Sequence, residues 1–287
     1  MGIYELTDKL SVIISRLFMK DKYFSKCADS KSVCEWLEAV HIELPAIASE
    51  GFYTASVQYD GKRSEAAFRI AQWKGPQYPT IIYHHGTAEM TYDFSFNRIL
   101  GKHKKNVDAN LIAIQALFNH STKEFCKSIA FLSDYTLMLA SSVLLIEKLI
   151  ASLKTIGNGK IIVTGTSLGG FVSSMHNAYY NTADDYRPLL AGTRIAEVFL
   201  HSAYTKLVAP GTRLSSAKLY KALNIEGGSI NAQLGKMHPL LARFDQIVVF
   251  GTHRTDFVPE QLTVIPYGHI TGSAKFKLLR SHILKGF

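Results

Sequence analysis

After Pro79 the chain alternates short, continuous apolar segments with loops or helical patterns, and this alternation narrows its possible folds more than any other feature. The segments are Thr80 to His84, Leu111 to Phe118, Lys160 to Thr164, Ile195 to His201, Gln246 to Phe250 and Leu262 to Ile265. A short apolar run without a polar face suits a strand buried on both sides, and parallel neighbours need a long crossover between them. The expected class is therefore α/β, a mostly parallel sheet flanked by helices on both faces. With 287 residues, 47% of them hydrophobic, the chain can close one such core.

Before the alternation begins, the first fifty residues read as helices. Leu10, Ile13, Ile14, Leu17 and Phe18 fall on one helical face, and Val33, Trp36, Leu37 and Val40 repeat the spacing behind a Ser32-x-x-Glu35 capping box. Pro45 ends this section, and from Gly51 the period changes to two. Gly51 to Tyr59 and Ala66 to Ala71 read as a hairpin turning at Asp60-Gly61. Between the second and third apolar segments an amphipathic helix buries Val143, Ile146, Ile150 and Leu153 and stops at Gly157 to Gly159. The stretch from Ser202 to Asp245, broken at Pro210-Gly211 and Gly227-Gly228, is long enough for a crossover helix plus a small cap insertion at about 203–245.

Composition excludes several classes of function. No apolar run approaches the ~18 to 20 residues of a bilayer span, Ser11 to Met19 is interrupted by Arg16, and Leu6 stands where a myristoylation signal wants Ser or Thr. A cytoplasmic protein without a membrane span is expected. Cys27, Cys34 and Cys126 show neither disulfide nor zinc spacing. The net charge of +9 is dispersed, and no aromatic platform accompanies the basic residues, so nucleic acid is not expected as a partner. No strand is followed by the GxGxxG of a dinucleotide site.

Chemistry concentrates at Gly165-Thr166-Ser167-Leu168-Gly169-Gly170, which fits G-x-S-x-G between the strand Lys160 to Thr164 and a helix carrying Phe171, Ser174, Met175 and Ala178 inward. A sharp strand-to-helix turn exposes the Ser167 hydroxyl, and side chains at 165 and 169 would collide with the neighbouring strand and helix. The helix aims its positive end at any oxyanion formed beside Ser167. Earlier, Ile81-Ile82-Tyr83-His84-His85-Gly86-Thr87 ends a strand in His-Gly. His84 and His85 are expected on opposite faces of that strand, which disfavours a shared metal.

The order strand, His85-Gly86, strand, helix, Gly165-x-Ser167-x-Gly169, late acid, late histidine resembles the α/β-hydrolase superfamily from about Gly51 to the C-terminus. The resemblance implies an N-terminal helical extension over 1–50 and a hydrolase domain over 51–287. It also implies an oxyanion hole at Gly86, Thr87 and Leu168, with the Thr87 and Leu168 amides as donors. His269, just after the last expected strand, then occupies the base position. Asp256, after the expected strand Gln246 to Phe250, occupies the acid position in preference to Asp245, which precedes that strand, and to Glu260. Tyr92, Phe94, Phe96, Tyr204 and Leu207 are expected to line an apolar substrate pocket. The implied activity is serine hydrolysis of a small-molecule carboxylic ester through an acyl-enzyme, with no cofactor. An oligopeptidase-type or thioesterase activity, or a non-catalytic ligand-binding protein of the same fold, are the alternatives, and the oligomeric state is left open.

Overall fold

The computed structural model describes residues 2–47, 49–87, 89, 91–213, 215–225 and 234–286. Nine strands form one sheet in the order β1-β2-β3-β5-β4-β6-β7-β8-β9. Its antiparallel edge is β1 (His41–Glu43), β2 (Gly51–Tyr59) and β3 (Lys62–Gln72), with β3 pairing antiparallel to β5 (Asn110–Ile114). The hairpin turns at Asp60 and Gly61, both at positive φ (44° and 71°), as a tight turn between twisted strands requires. From β5 onward the pairing is parallel, through β4 (Thr80–His84), β6 (Ile161–Thr166), β7 (Asp185–Leu189), β8 (Leu240–Ala242) and β9 (Thr263–Ile265). Every residue of β4, β5 and β6 is buried, the condition their unbroken apolar character anticipates.

Helices α1 (Ile3–Phe18), α2 (Val33–Ala39), α3 (Phe94–Ile99), α4 (Thr122–Ser128), α5 (Leu132–Ile156), α6 (Leu168–Tyr179) and α7 (Ile195–His201) accompany the sheet. The capping box before α2 forms: the Glu35 amide donates to Ser32 Oγ at 3.2 Å and the Ser32 amide to Glu35 Oε2 at 2.6 Å. Helix α5 is long and apolar enough to cross a bilayer, contrary to the absence of any such run expected from the sequence. In the fold most of this helix is buried, which makes it the core helix against α2 and α6.

Three expectations change in the structure. His41–Glu43, within the region read as helical, adds an edge strand to β2. Ile195–His201 is helix α7, not a strand: Ile195, Ala196, Val198 and Phe199 are buried at helical spacing. Gln246 to Phe250 is not a strand either, because Asp245 Oδ1 accepts the Ile247 and Val248 amides, both at 2.7 Å, and turns the chain there. The strands in their place are β7 and β8. The first is concealed in sequence by Asp185, Arg187 and Pro188, and the second is only three residues long. Arg187 Nη2 donates to Asp185 Oδ2 at 2.7 Å, and this pair lets charge sit in a buried strand.

The segment after α7 contains the helices Pro210–Arg213 and Ser216–Leu223. The expected Gly227-Gly228 break lies outside the described residues. The stripe Leu10, Ile13, Ile14, Leu17 and Phe18 on α1 faces solvent, while Asp8 and Val12 are buried against the body of the molecule.

Candidate active site

Ser167 sits between β6 and α6 with φ 56° and ψ −112°, a left-handed conformation that costs a non-glycine residue about 1–3 kcal/mol. The close approach of β4 to this turn explains the glycines. A Cβ on Gly165 would lie 2.6 Å from the His84 carbonyl oxygen, and one on Gly169 would strike the same atom. The strain directs Ser167 Oγ to His269 Nε2 at 3.0 Å. His269 Nδ1 in turn meets Asp245 Oδ2 at 2.7 Å. The carboxylate behind His269 is therefore Asp245 and not Asp256.

Asp245 reaches His269 because the strand beside β9 is β8, which precedes Asp245, and not Gln246 to Phe250, which follows it. With β8 ending at Ala242, Asp245 lies just beyond the carboxyl edge of the sheet, and His269 follows the adjacent β9. Asp256 belongs to a separate cluster: it accepts from the Thr193 amide at 3.1 Å and Arg194 Nε at 2.8 Å, and pairs with His253 Nδ1 at 3.2 Å. Glu260 lies near Arg187 and His282, away from Ser167.

Burial alone would depress the His269 imidazole. The Asp245 carboxylate, through charge and hydrogen bond, outweighs burial with help from the charge of Asp8, and the imidazole is held above its ordinary value of 6.5. Asp8 is the site residue that the sequence reading missed. It is fully buried, its Oδ2 accepts from the Gln246 amide at 3.0 Å and the His269 amide at 2.8 Å, and its Oδ1 accepts from the Ile270 amide at 2.9 Å. One carboxylate on α1 thus ties the loop after β8 to the start of the helix His269–Ser273, where a negative charge also meets the helix's positive end. Gly268 permits the approach, since a Cβ there would lie 2.8 Å from Asp8 Oδ2. The only sequence signal was a lone Asp on the polar side of an apolar stripe.

On the opposite side of Ser167, the Leu168 amide is among the first-turn donors that a helix leaves without an internal partner. The Thr87 amide makes no hydrogen bond among the described residues, and Thr87 lines the cavity beside Ser167. Gly86 differs from expectation: its amide donates to Glu89 Oε1 at 2.7 Å and is not free for an oxyanion. Glu89 also accepts from the Ser95 amide and hydroxyl, both at 2.8 Å, and so holds the loop in shape. His84 and His85 do not diverge. The chain leaves the strand at His84, alternation lapses, and the rings stack at 4.8 Å between centroids. Their nitrogens are used locally; His85 Nε2 accepts the Ala116 amide at 3.0 Å and His85 Nδ1 bonds the Gly86 carbonyl at 2.8 Å. Among the described residues no group of three or more His, Cys, Asp and Glu could hold a metal ion.

The cavity at Ser167 has a volume of about 170 Å³ and is lined by Ser11, Val12 and Ser15 of α1 with Thr87, Glu89, Tyr204, Ile247 and Ile270. A narrower apolar slot of about 20 Å³ runs from Ser167 between Phe171, Ile195, Phe199, Tyr204 and Val248. Of the expected pocket residues only Tyr204 lines these spaces. Phe96 and Leu207 are core residues, Tyr92 packs against the buried cluster that includes Phe96 and Ile99, and Phe94 is half exposed with the Arg98 guanidinium over its ring.

Several solved structures share the fold. Acetyl xylan esterase 1 from Thermoanaerobacterium sp. JW/SL YS485 is 13% identical, with 88% of this chain and 96% of that one covered and a TM-score of 0.51. MGS-M2, an α/β hydrolase enzyme from a Medee basin deep-sea metagenome library, is 11% identical over 80% of this chain and 95% of that one, with a TM-score of 0.52. The Pyrococcus horikoshii acylaminoacyl peptidase is 11% identical with a TM-score of 0.53, and the match covers 84% of this chain but 40% of the peptidase. At these identities the likeness is one of fold. Comparison with curated protein sequences finds no match. A family model described as "Alpha/beta hydrolase domain containing 18" matches residues 65–211, just over half of the chain, a span that includes His85-Gly86 and the Ser167 turn. The chain belongs to this α/β-hydrolase family.

Proposed function

We propose that the protein is a serine hydrolase cleaving a carboxylic ester through an acyl-enzyme. The observation that carries this reading is the continuous hydrogen-bonded line Asp245–His269–Ser167, at 2.7 and 3.0 Å, ending on a serine strained at the positive end of α6. Ser167 Oγ attacks the ester carbonyl as His269 Nε2 takes its proton, and the developing oxyanion is held by the Leu168 and Thr87 amides. As the tetrahedral intermediate collapses, the imidazolium returns its proton to the departing alkoxide. Water, deprotonated by the same nitrogen, then releases the acid and frees Ser167. Asp245 holds the imidazole tautomer and balances the imidazolium charge throughout.

The narrow apolar slot supports a short to medium acyl group. A fluorophosphonate probe should label the parent at Ser167, and nitrophenyl esters of increasing acyl length should show a maximum and then a decline. An unlabelled, folded parent without esterase activity would turn the reading toward a ligand-binding protein.

A further inference from the structure

Helix α1 is inside out. Its buried side carries Asp8 and Val12, with Ser11 on the cavity wall, while Leu6, Leu10, Ile13, Ile14, Leu17 and Phe18 point to water. Leu17 and Phe18 are 78% and 81% exposed. Such a continuous apolar arc on a helix of this length is what an interfacial helix presents to acyl chains. Ile270, on the rim of the Ser167 cavity, and Phe244, stacked on Tyr4, add partly exposed apolar surface beside it.

The charges around the arc indicate its occupant. Arg16, Lys20 and Lys22 lie at its C-terminal end and have no acidic partner among the described residues. The acids nearby are engaged: Asp21 pairs with Lys26 at 3.0 Å, Glu5 accepts the Gly2 amide at 2.6 Å, and Asp8 is buried. The arc itself contains no carboxylate. An apolar strip edged by unpaired cations is complementary to a bilayer bearing anionic headgroups.

We propose that α1 docks this protein on an anionic phospholipid surface, lying in the headgroup layer with Leu17 and Phe18 inserted. Since the other side of the same helix forms a wall of the Ser167 cavity, docking sets that cavity roughly one helix diameter, about 10 Å, from the lipid. The inference concerns binding and does not depend on the hydrolase reading.

The test is co-sedimentation of the whole 287-residue chain carrying Ser167→Ala, so that no lipid is hydrolysed, with vesicles of phosphatidylcholine alone and of phosphatidylcholine with added phosphatidylglycerol. Binding to the mixed vesicles is expected, weakening as salt is raised. The double variant Leu17→Ser/Phe18→Ser, with thermal stability unchanged because both side chains are exposed, should bind about tenfold or more weakly. Arg16→Gln, Lys20→Gln and Lys22→Gln together should remove the preference for anionic vesicles. Equal binding by the double variant, or no binding by the parent, overturns the proposal. Concentration-dependent dimers in sedimentation equilibrium that the double variant abolishes, with no vesicle binding, would assign the arc to a second copy of the chain instead.

Discussion

Among the described residues two buried Asp–His pairs differ in their surroundings. In Asp245–His269 the imidazole has its other nitrogen on Ser167 Oγ, and the carboxylate's remaining bonds go to the amides of Ile247 and Val248. In Asp256–His253 the carboxylate also carries the Arg194 guanidinium and the Thr193 amide, and the ring packs edge-on to Phe171. Although burial acts to raise the Asp256 carboxyl, its hydrogen bonds and the neighbouring charges prevail and hold it below the usual range. The two pairs share residue types and burial. One is left with a nitrogen facing the Ser167 hydroxyl, and the other is closed on itself as a clasp between the turn Arg254–Asp256 and the start of α7.

The largest effect should come from the proposed nucleophile: Ser167→Ala is expected to lose more than ~1000-fold in kcat with the fold intact, read by ester turnover and circular dichroism. Next comes the direct contest between the pairs. Asp245→Asn can keep the amides of Ile247 and Val248 on its oxygen but loses the tautomer control of His269, and should cost on the order of 10³–10⁴ in kcat. Asp256→Asn should leave kcat within a few-fold while lowering stability by about 1–2 kcal/mol, a figure reduced because Arg194 is partly exposed. If turnover collapses in Asp256→Asn and survives in Asp245→Asn, the functional distinction between the pairs is broken.

A smaller loss is expected for Asp8→Asn, about tenfold to a hundredfold in kcat/KM, since an amide cannot accept all three N–H groups that converge on the carboxylate. The distinctive readout is the pH profile. A raised imidazole must be deprotonated to act as base, so the parent's kcat/KM should rise through a midpoint above 6.5 and be lost below it. Removing the Asp8 charge takes away one cause of that elevation, and the acid limb should move to lower pH. An unmoved limb would restrict Asp8 to a purely structural role. The smallest effect is a change of that limb with salt: the Asp8 and Asp245 charges are buried, so added salt should shift the midpoint little.

What could be read from residues alone were the features whose physics is local. The sequence Lys160 to Gly170 carries a buried strand, glycines at the two positions where a Cβ meets the His84 carbonyl, and a helix start, and it placed Ser167 at the turn between them. The Asp60-Gly61 hairpin and the Ser32-x-x-Glu35 box were legible for the same reason. The carboxylate behind His269 was not, because its position depends on which segments pair in the sheet. Asp185–Leu189 carries charges neutralised only by the folded partners, Leu240–Ala242 is too short to announce itself, and Gln246 to Phe250 is turned aside where its amides donate to the very carboxylate in question. Likewise the spacing of Leu10, Ile13, Ile14, Leu17 and Phe18 determined a helix with an apolar face, since periodicity follows from 3.6 residues per turn. Only the tertiary structure decided that this face points outward, because the buried Asp8 carboxylate satisfies three backbone donors that no apolar side chain could.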